Sequence, residues 1–285
     1  MISNRGETKS NFLSLYLKDS LQMGSIQTLF ENSLNVQFPF GLVHVGQTGM
    51  VLSPFGCLIN SKDYRQLYAQ CRPGDLVRFK QGKLYFYTQK DVFKIELDTF
   101  EEVDLSIPKV ELSTAALKDN LLYQVFEEKF FSLSIETGLP LTGTIKKGLQ
   151  ALTESQVEKK ILSDEKVIRL LIGRGIGLTP SGDDILIGYT FARVLFQQAD
   201  EWQEKIAWAL KEKKTTAISE AYFAALLNGY INENFLSLVQ LFTEKDQEKI
   251  QNKIQDLKRF GHTSGTDTLY GFALGLRYVQ KETER

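Results

Sequence analysis

The sequence contains few cysteines and no long apolar run. Among its 285 residues are two cysteines, Cys57 and Cys71, too few for a disulfide framework or a four-cysteine zinc site. It has no stretch of about 18 consecutive apolar residues, and its N-terminus lacks an apolar core followed by a small-residue cleavage site. The sequence therefore predicts reduced thiols, no transmembrane helix, no signal peptide and a cytoplasmic location.

An excess of positive charge is also missing. The 34 basic residues are balanced by 35 acidic ones, for a formal net charge of −1, whereas domains that bind nucleic acid are usually basic. One segment, residues 244–260, has lysines at helical spacing, but the acids between them are typical of a solvated helix surface. We therefore expect no nucleic-acid partner.

Proline is absent after Pro180, and this divides the chain. Because proline removes a helix hydrogen bond, the proline-free part suits a helical domain. The earlier part has short strand-like runs with turn residues between them, at 34–38, 42–45, 50–53 and 92–97, and a hairpin formed by 76–80 and 83–88. The sequence predicts an α+β protein. A β-rich domain over residues 1–112, a small barrel or sandwich, precedes an all-helical domain over residues 113–285.

Apolar residues at helical spacing indicate where the helices lie. Ser61 is expected to cap one helix that runs to about Cys71. The later helices are predicted over residues 113–133, 154–172, 181–197, 201–213, 217–230, 234–242, 244–260 and 265–280. Two stretches, residues 185–196 within the helix over 181–197 and residues 217–230, are apolar nearly all round, so these helices are predicted to be packed on several sides.

The richest motif is GRGIGLTPSGDD, residues 173–184, at the start of the first of these apolar helices. Thr179 is a good N-cap and Pro180 a good first helical residue. The N–H groups of the first helical turn need partners, which could be hydroxyls, carboxylates or a ligand. A helix precedes the glycines and their spacing differs from G-x-G-x-x-G, so a dinucleotide site is not predicted. The alternate glycines permit positive φ and a close approach to a ligand.

Asp183 and Asp184 end this motif, and their chemistry leaves several roles open. Acids in a first helical turn interact favourably with the helix dipole, by roughly 0.3–1 kcal/mol. They could instead hold Mg²⁺ or accept hydrogen bonds from a ligand amide. Because no specific metal motif accompanies them, the sequence predicts no metal site and no cofactor.

A second segment, GHTSGTDTLYG at residues 261–271, echoes the first. Aligning Ser181 with Ser264 gives S-G-x-D-x-L-x-G in both, with five of eight positions identical, and both precede an apolar helix. We predict that the two helix N-termini converge on one site, near the start of the helix over 217–230, with Asp184 and Asp267 in equivalent places. Paired helix N-termini would suit a carboxylate or phosphate.

The candidate catalytic residues are Asp184, Asp267 and His262. A histidine carries protons near neutral pH, although a lone residue such as His262 is more often a hydrogen-bonded loop histidine. Arg174 could pair with a carboxylate or phosphate, or be a solvated loop arginine. His44, within an apolar strand run, is expected to be structural. The candidate ligand-binding residues are Arg174, Gly175, Gly177, Thr179, Ser181, Gly182, Asp183, Thr216, Ser264 and Gly265.

The run GLTPSGDD at 177–184, with the apolar helix after it, resembles the signature of the AllH family. The segments TTAIS at 215–219, GHTSGTD at 261–267 and SPFG at 53–56 resemble the same family in the same order. The similarity extends over most of the chain, from roughly residue 35 to residue 280.

The resemblance implies a subunit of oxamate carbamoyltransferase, which in anaerobic allantoin and purine breakdown converts oxalurate and phosphate to oxamate and carbamoyl phosphate. It also implies FdrA-like and AllG-like partner subunits and a small anionic substrate. It brings no settled catalytic residues, so the candidates above rest on local chemistry. The alternatives are a non-catalytic assembly or regulatory subunit, and a stand-alone metal-dependent hydrolase, for which the two histidines are few.

Overall fold

The computed structural model describes residues 6–17, 21–131, 137–154 and 161–283. The chain forms two compact units, Met1–Ser106 with Tyr230–Leu236, and Ile107–Gly229 with Ser237–Arg285. Strands occur in the first unit and helices make up most of the second, which confirms the α+β class. The division into domains at residue 112 stays a prediction.

The first unit is built on one curled sheet of nine strands, where the sequence predicted a small barrel or sandwich. The spatial order is β8-β7-β6-β2-β3-β4-β5-β1-β9, with parallel pairs at β4–β5 and β1–β9. The strands are β1 (Thr8–Ser10), β2 (Gln22–Leu29), β3 (Ser33–Phe38), β4 (Gly41–Gln47), β5 (Gly56–Ile59), β6 (Leu76–Lys80), β7 (Lys83–Tyr87), β8 (Val92–Glu96) and β9 (Glu101–Val103). The same unit holds helices α1 (Asn11–Tyr16), α2 (Ser61–Gln70) and α9 (Glu233–Leu236), and a 3₁₀ turn at Leu97–Thr99.

The predicted hairpin is confirmed as β6 and β7. Its two-residue turn is formed by Gln81 and Gly82, with φ of 50° and 68°. Positive φ at both positions gives the turn the twist that antiparallel strands need. Val77 pairs with Phe86, and both are buried. Strand alternation therefore places one face of this hairpin in the core.

The core of the first unit contains both cysteines. Cys57 and Cys71 are both buried, and neither forms a disulfide among the described residues. Burial raises the pKa of each thiol to about 12. Both thiols are therefore protonated at neutral pH and behave as small apolar side chains.

Two local predictions in this unit were wrong. Residues 50–53 form a loop instead of a strand, because β4 and β5 are parallel and the chain between them must leave the sheet to return in the same direction. The cap of α2 is Asn60, whose side chain accepts a hydrogen bond from the Asp63 N–H at 2.9 Å, so Ser61 is the first helical residue.

The second unit is helical. Its helices are α3 (Leu121–Phe130), α4 (Gly143–Ala151), α5 (Asp164–Leu171), α6 (Ser181–Leu195), α7 (Asp200–Glu212), α8 (Ala217–Leu227), α10 (Gln247–Lys258) and α11 (Ser264–Thr283), with 3₁₀ turns at Thr114–Ala116 and Val239–Phe242. The helices predicted over 181–197, 201–213, 244–260 and 265–280 are present, with ends shifted by at most three residues.

Three predicted helices are shorter than expected. The helix over 113–133 is a 3₁₀ turn followed by α3, because the side chain of Asn120 caps a new helix by accepting from the Leu122 N–H. The helix over 154–172 is represented by α5, and residues 155–160 lie outside the described residues. The helix over 234–242 divides into α9 and a 3₁₀ turn.

The apolar helix α6 is central, as predicted. All but one of its residues, Val194, are buried. Its arginine, Arg193, lies over the ring of Tyr278 at 4.3 Å and that of Trp202 at 5.2 Å, and its Nε donates to the Gln198 carbonyl at 2.7 Å. These contacts explain how one positive charge is tolerated there. The other apolar helix, α8, has five buried residues and six of intermediate exposure, and none of its residues is exposed, which agrees with the predicted packing on several sides.

Helices α6 and α11 pack against each other through glycines, and the contact repeats itself. A Cβ atom at Gly188 would collide with the carbonyl oxygen of Thr268, and one at Gly271 would collide with that of Ile185. Aligning the two S-G-x-D segments also equates Gly188 with Gly271, and Ile185 with Thr268. The two contacts are therefore reciprocal, as in an interface with two-fold symmetry.

The preceding helices obey the same relation. A Cβ at Gly182 would collide with the carbonyl oxygen of Leu171, at the end of α5, and one at Gly265 with that of Leu257, near the end of α10. A helix–loop–helix unit thus occurs twice in this part of the chain. The reciprocal packing brings the starts of α6 and α11 together.

Candidate functional site

The loop between α5 and α6 folds over the start of α6. Gly173, Gly175 and Gly177 have φ of 64°, 125° and 96°, which side chains rarely permit, as the alternate glycines predicted. A Cβ at Gly175 would also lie 2.6 Å from the backbone nitrogen of Ser181. The loop leaves the side chain of Ile176 90% exposed.

The start of α6 differs from the predicted cap. Pro180 occupies the cap position, and its carbonyl accepts from the N–H groups of Asp183 and Asp184 at 2.9 and 3.2 Å. Thr179, the predicted N-cap, instead forms a hydroxyl–hydroxyl hydrogen bond of 2.6 Å with Ser264 at the start of α11. The Thr179 hydroxyl, which helix propensity predicted to cap α6, therefore forms a contact between two helix starts instead.

Two first-turn N–H groups also have unexpected partners. The Gly182 N–H donates to the Arg174 carbonyl at 2.7 Å, and the Gly265 N–H donates to the Phe260 carbonyl at 2.9 Å. Hydroxyls, carboxylates and a ligand were the expected acceptors. Loop carbonyls take that role, so these two donors are already used within the protein.

The two S-G-x-D segments meet, as predicted, and the start of α8 lies beside them. Besides the Thr179–Ser264 bond, the Thr216 hydroxyl donates to the Leu178 carbonyl at 2.5 Å. Thr216 also caps α8 by accepting from the Ser219 N–H at 3.1 Å. Three hydroxyl-bearing helix starts therefore converge.

Asp183 links the loop, α6 and the start of α8. One carboxylate oxygen accepts from the Gly173 N–H at 2.7 Å, and the other accepts from the Thr215 hydroxyl. Burial raises the pKa of Asp183, and these two hydrogen bonds oppose the rise. Both oxygens have partners, so the contacts of this carboxylate are those of a structural group.

Asp184 and Asp267 lie in equivalent places on α6 and α11. Asp184 is 4% exposed and Asp267 is fully buried. Burial raises the pKa of both, and the nearby charge of Asp267 raises that of Asp184 further. The hydroxyl of Ser264 opposes the rise at Asp184, and that of Ser181 opposes it at Asp267. Each acid therefore accepts a hydrogen bond from the hydroxyl of the serine that begins the other helix.

Gly138 also borders the site, and sequence reasoning missed it. Its N–H donates to Oδ1 of Asp267 at 3.3 Å. A Cβ on Gly138 would lie 3.0 Å from the Thr263 hydroxyl and would collide with that of Ser181. The sequence around it, Thr137-Gly138-Leu139-Pro140, reads as an ordinary turn, so only the tertiary contact identifies it.

A second missed residue is Lys213, beyond the C-terminal end of α7. Burial lowers its pKa, as does the neighbouring charge of Arg174, whereas Asp183 raises it. Its ammonium group donates to the Arg169 carbonyl at 2.8 Å. The sequence signal was its position two residues before the TTAIS segment.

The predicted site residues fall into two layers. Arg174, Gly177 and His262 are exposed, and Gly175, Thr179, Thr216 and Ser264 are partly exposed. The buried layer beneath them consists of Ser181, Gly182, Asp183, Asp184, Gly265 and Asp267. His44 is separate, in β4, where its Nδ1 is hydrogen bonded to Oδ1 of Asn35 at 3.0 Å.

Within the described residues, no group of three or more histidine, cysteine, aspartate or glutamate side chains could hold a metal ion. Across the same residues, no helix combines the length and apolar character needed to cross a membrane.

Comparison with known families matches both parts of the chain. Residues 171–276 match the family model described as oxamate carbamoyltransferase subunit AllH, and residues 5–102 match that of the AllH family N-terminal domain. The first match contains both S-G-x-D segments, and together the two cover well over half of the chain. No solved structure matches the chain.

Proposed function

Because the chain belongs to the AllH family, we propose that it is a subunit of an oxamate carbamoyltransferase and binds a small anionic amide where α6 and α11 begin. In the phosphorolytic direction, a phosphate oxygen attacks the carbamoyl carbon of oxalurate and the bond from that carbon to the oxamate nitrogen breaks. The departing nitrogen takes a proton, which leaves oxamate and carbamoyl phosphate. FdrA-like and AllG-like proteins are the expected partner subunits.

One observation carries this proposal. The 2.6 Å hydrogen bond between Thr179 and Ser264 joins segments 85 positions apart. The bond joins the segment that carries the exposed Arg174 to the segment that carries the exposed His262. Both segments belong to one unit and both carry partly exposed hydroxyls. Together these groups can bind an anion, form hydrogen bonds with an amide and transfer a proton.

In the exposed layer, each group suits one part of the substrate. The guanidinium of Arg174 can bind the carboxylate of oxalurate or a phosphate through two parallel hydrogen bonds. The hydroxyls of Thr179 and Ser264 can donate to the amide carbonyl or accept from its N–H groups. His262 can supply the proton that the departing nitrogen needs.

The acids of the buried layer would orient the hydroxyl groups above them. Asp184 lies beneath Ser264 and, when ionised, can only accept hydrogen bonds. A hydroxyl that donates downwards presents its lone pairs outwards, so the acid would orient it toward the ligand. Asp267 would orient Ser181, which lies within the buried layer, so both acids have positioning roles.

The Arg174→Ala substitution tests the ligand site. Charged hydrogen bonds contribute roughly 1.5–3 kcal/mol, so affinity for oxamate, oxalurate or carbamoyl phosphate should fall roughly ten- to hundredfold. The melting temperature should hardly change, because Arg174 is exposed. The measurement is calorimetric titration of the full chain, alone and with its partner subunits. Arg65→Ala, another exposed arginine, is the control, and unchanged binding by Arg174→Ala would contradict the proposal.

An assembly role is the second candidate, and the loop itself favours it. Ile176 is 90% exposed and Leu178 is 50% exposed, although apolar side chains are stabilised by burial. We expect Ile176→Ser to weaken copurification with the FdrA-like and AllG-like subunits while the melting temperature is unchanged. If Ile176→Ser assembles normally and Arg174→Ala assembles without turnover, the loop belongs to a ligand site and the assembly role is rejected.

A further inference from the structure

Two buried carboxylates of the helical unit each have one oxygen without a partner. Oδ2 of Asp184 and Oδ2 of Asp267 are inaccessible to solvent, and neither has a hydrogen-bond partner among the described residues. Asp183 is the contrasting case, since it is equally buried and both of its oxygens accept hydrogen bonds. A buried charged oxygen without a partner is strongly unfavourable, so this pair requires compensation.

The oxygens around the pair are arranged reciprocally. The hydroxyl of Ser264 on α11 donates to Asp184 on α6, and the hydroxyl of Ser181 on α6 donates to Asp267 on α11. The same relation holds between the backbones at Gly188 and Gly271. Two carboxylates and two serine hydroxyls, contributed equally by two helices, therefore lie where the two helix starts meet. Thr179 and Thr263 add hydroxyls on either side.

The charges of the helices compensate the acids only in part. Each helix N-terminus is equivalent to about +0.5 elementary charge, so two of them offset about half of two carboxylates. Lys213 lowers the pKa of Asp183, whereas no basic side chain of the described residues is among the main influences on the pKa of Asp184 or Asp267. The remaining negative charge lies between the two helix starts.

The burial of the two Oδ2 atoms limits the size of any group that could bind between them. Because the Oδ2 atoms are inaccessible to solvent, an amide or carbonyl group of a substrate would reach them only after the helices moved apart. A single ion needs only an atomic-scale gap. The side-chain groups around the pair that could bind a metal are carboxylates and hydroxyls, and hard cations prefer oxygen ligands.

We propose that Asp184 and Asp267, with the hydroxyls of Ser181 and Ser264, bind one hard metal cation between the starts of α6 and α11. Mg²⁺ is the expected ion, since it is typically held by one or two carboxylates with other oxygens completing its shell. K⁺ shares the same oxygen chemistry. The ion joins the two helices beneath the exposed layer. This inference goes beyond the proposed function, because it holds for the isolated chain whatever substrate it binds.

Thermal unfolding of the full chain tests the site. Chelator-treated protein is titrated with Mg²⁺, Ca²⁺, K⁺ or Na⁺ at constant ionic strength. A cation that binds only the folded chain should raise the melting temperature by several degrees at saturation. Asp184→Asn and Asp267→Asn should each lose the shift. Asp183→Asn is the matched control, because it removes a neighbouring buried acid outside the pair and should keep the shift.

Elemental analysis of the dialysed wild-type chain provides a second readout that needs no variant. One ion per chain, removed by chelator, is expected. Failure of wild type to shift with any of the four cations would overturn the proposal, as would a shift that survives in both asparagine variants. The pair would then share a proton. None of these measurements uses a carbamoyl compound, so their outcome is separate from that of the ligand titrations.

Discussion

Replacing Gly188 with alanine is expected to destabilise the helical unit by about 3 kcal/mol. An alanine Cβ there collides with the Thr268 carbonyl oxygen and lies 2.8 Å from the Phe272 nitrogen. Backbone atoms cannot rotate away as side chains can, so α6 and α11 must separate. Separation also disrupts the paired helix starts. Thermal unfolding should show a melting temperature lower by roughly 5–10 °C.

Two further glycine variants make this test specific. Gly271→Ala, the reciprocal position, should destabilise by a similar amount, because its Cβ would collide with the Ile185 carbonyl. Gly143→Ala is the control, since Gly143 begins α4 and a Cβ there would have no neighbour within 4 Å. Alanine at that position should be neutral or slightly stabilising. A normal melting temperature for Gly188→Ala would show that the helices are not held in this close contact.

The second large effect is a loss of folding stability at low pH, which His44 in the sheet causes. Burial lowers the pKa of His44 to about 4, from an ordinary value of 6.5. Below pH 6.5 the unfolded chain binds a proton at His44 and the folded chain does not, so stability falls as the pH falls toward 4. The slope is about 1.4 kcal/mol per pH unit, and at pH 5 the loss should be about 2 kcal/mol.

Comparison with His44→Gln isolates this contribution from other titrating groups. Glutamine does not titrate and can still donate to Asn35, the partner of Nδ1. Urea unfolding of both proteins at pH 7.5 and pH 5 should show the wild type losing about 2 kcal/mol more than the variant. His262→Gln replaces the other, exposed histidine and should behave as wild type does. Equal losses for wild type and His44→Gln would mean that His44 is protonated in the folded sheet.

The site illustrates how far local patterns reach. The repeated S-G-x-D pattern was enough to predict that Asp184 and Asp267 occupy equivalent places near each other, because a repeated sequence tends to repeat its local geometry. The positive φ values at Gly173, Gly175 and Gly177 were equally predictable from alternate glycines. These features depend on short spans of backbone, so a short span of sequence is sufficient to indicate them.

The capping hydroxyl of Thr179 shows where local reasoning fails. Propensity assigned it to the start of α6, yet it bonds to Ser264, whose position depends on how α11 packs. Gly138 went unnoticed for the same reason, since it contacts Asp267 from 129 positions away. Hydroxyls and glycines suit several roles at similar energy, so the tertiary neighbour decides among them.

The sequence by itself determined the α+β class, most helices of the second unit, the β6–β7 hairpin and the two motif segments, because periodicity and turn chemistry are local properties. Only the tertiary structure decided that the acids are buried beneath an exposed layer. Among the described residues, it also gives each oxygen of Asp183 a partner, while Asp184 and Asp267 each keep one oxygen without a partner. Burial and hydrogen-bond partners are set by the packing of α6 against α11. That packing depends on glycine contacts between segments about 80 positions apart, which no short span of sequence contains.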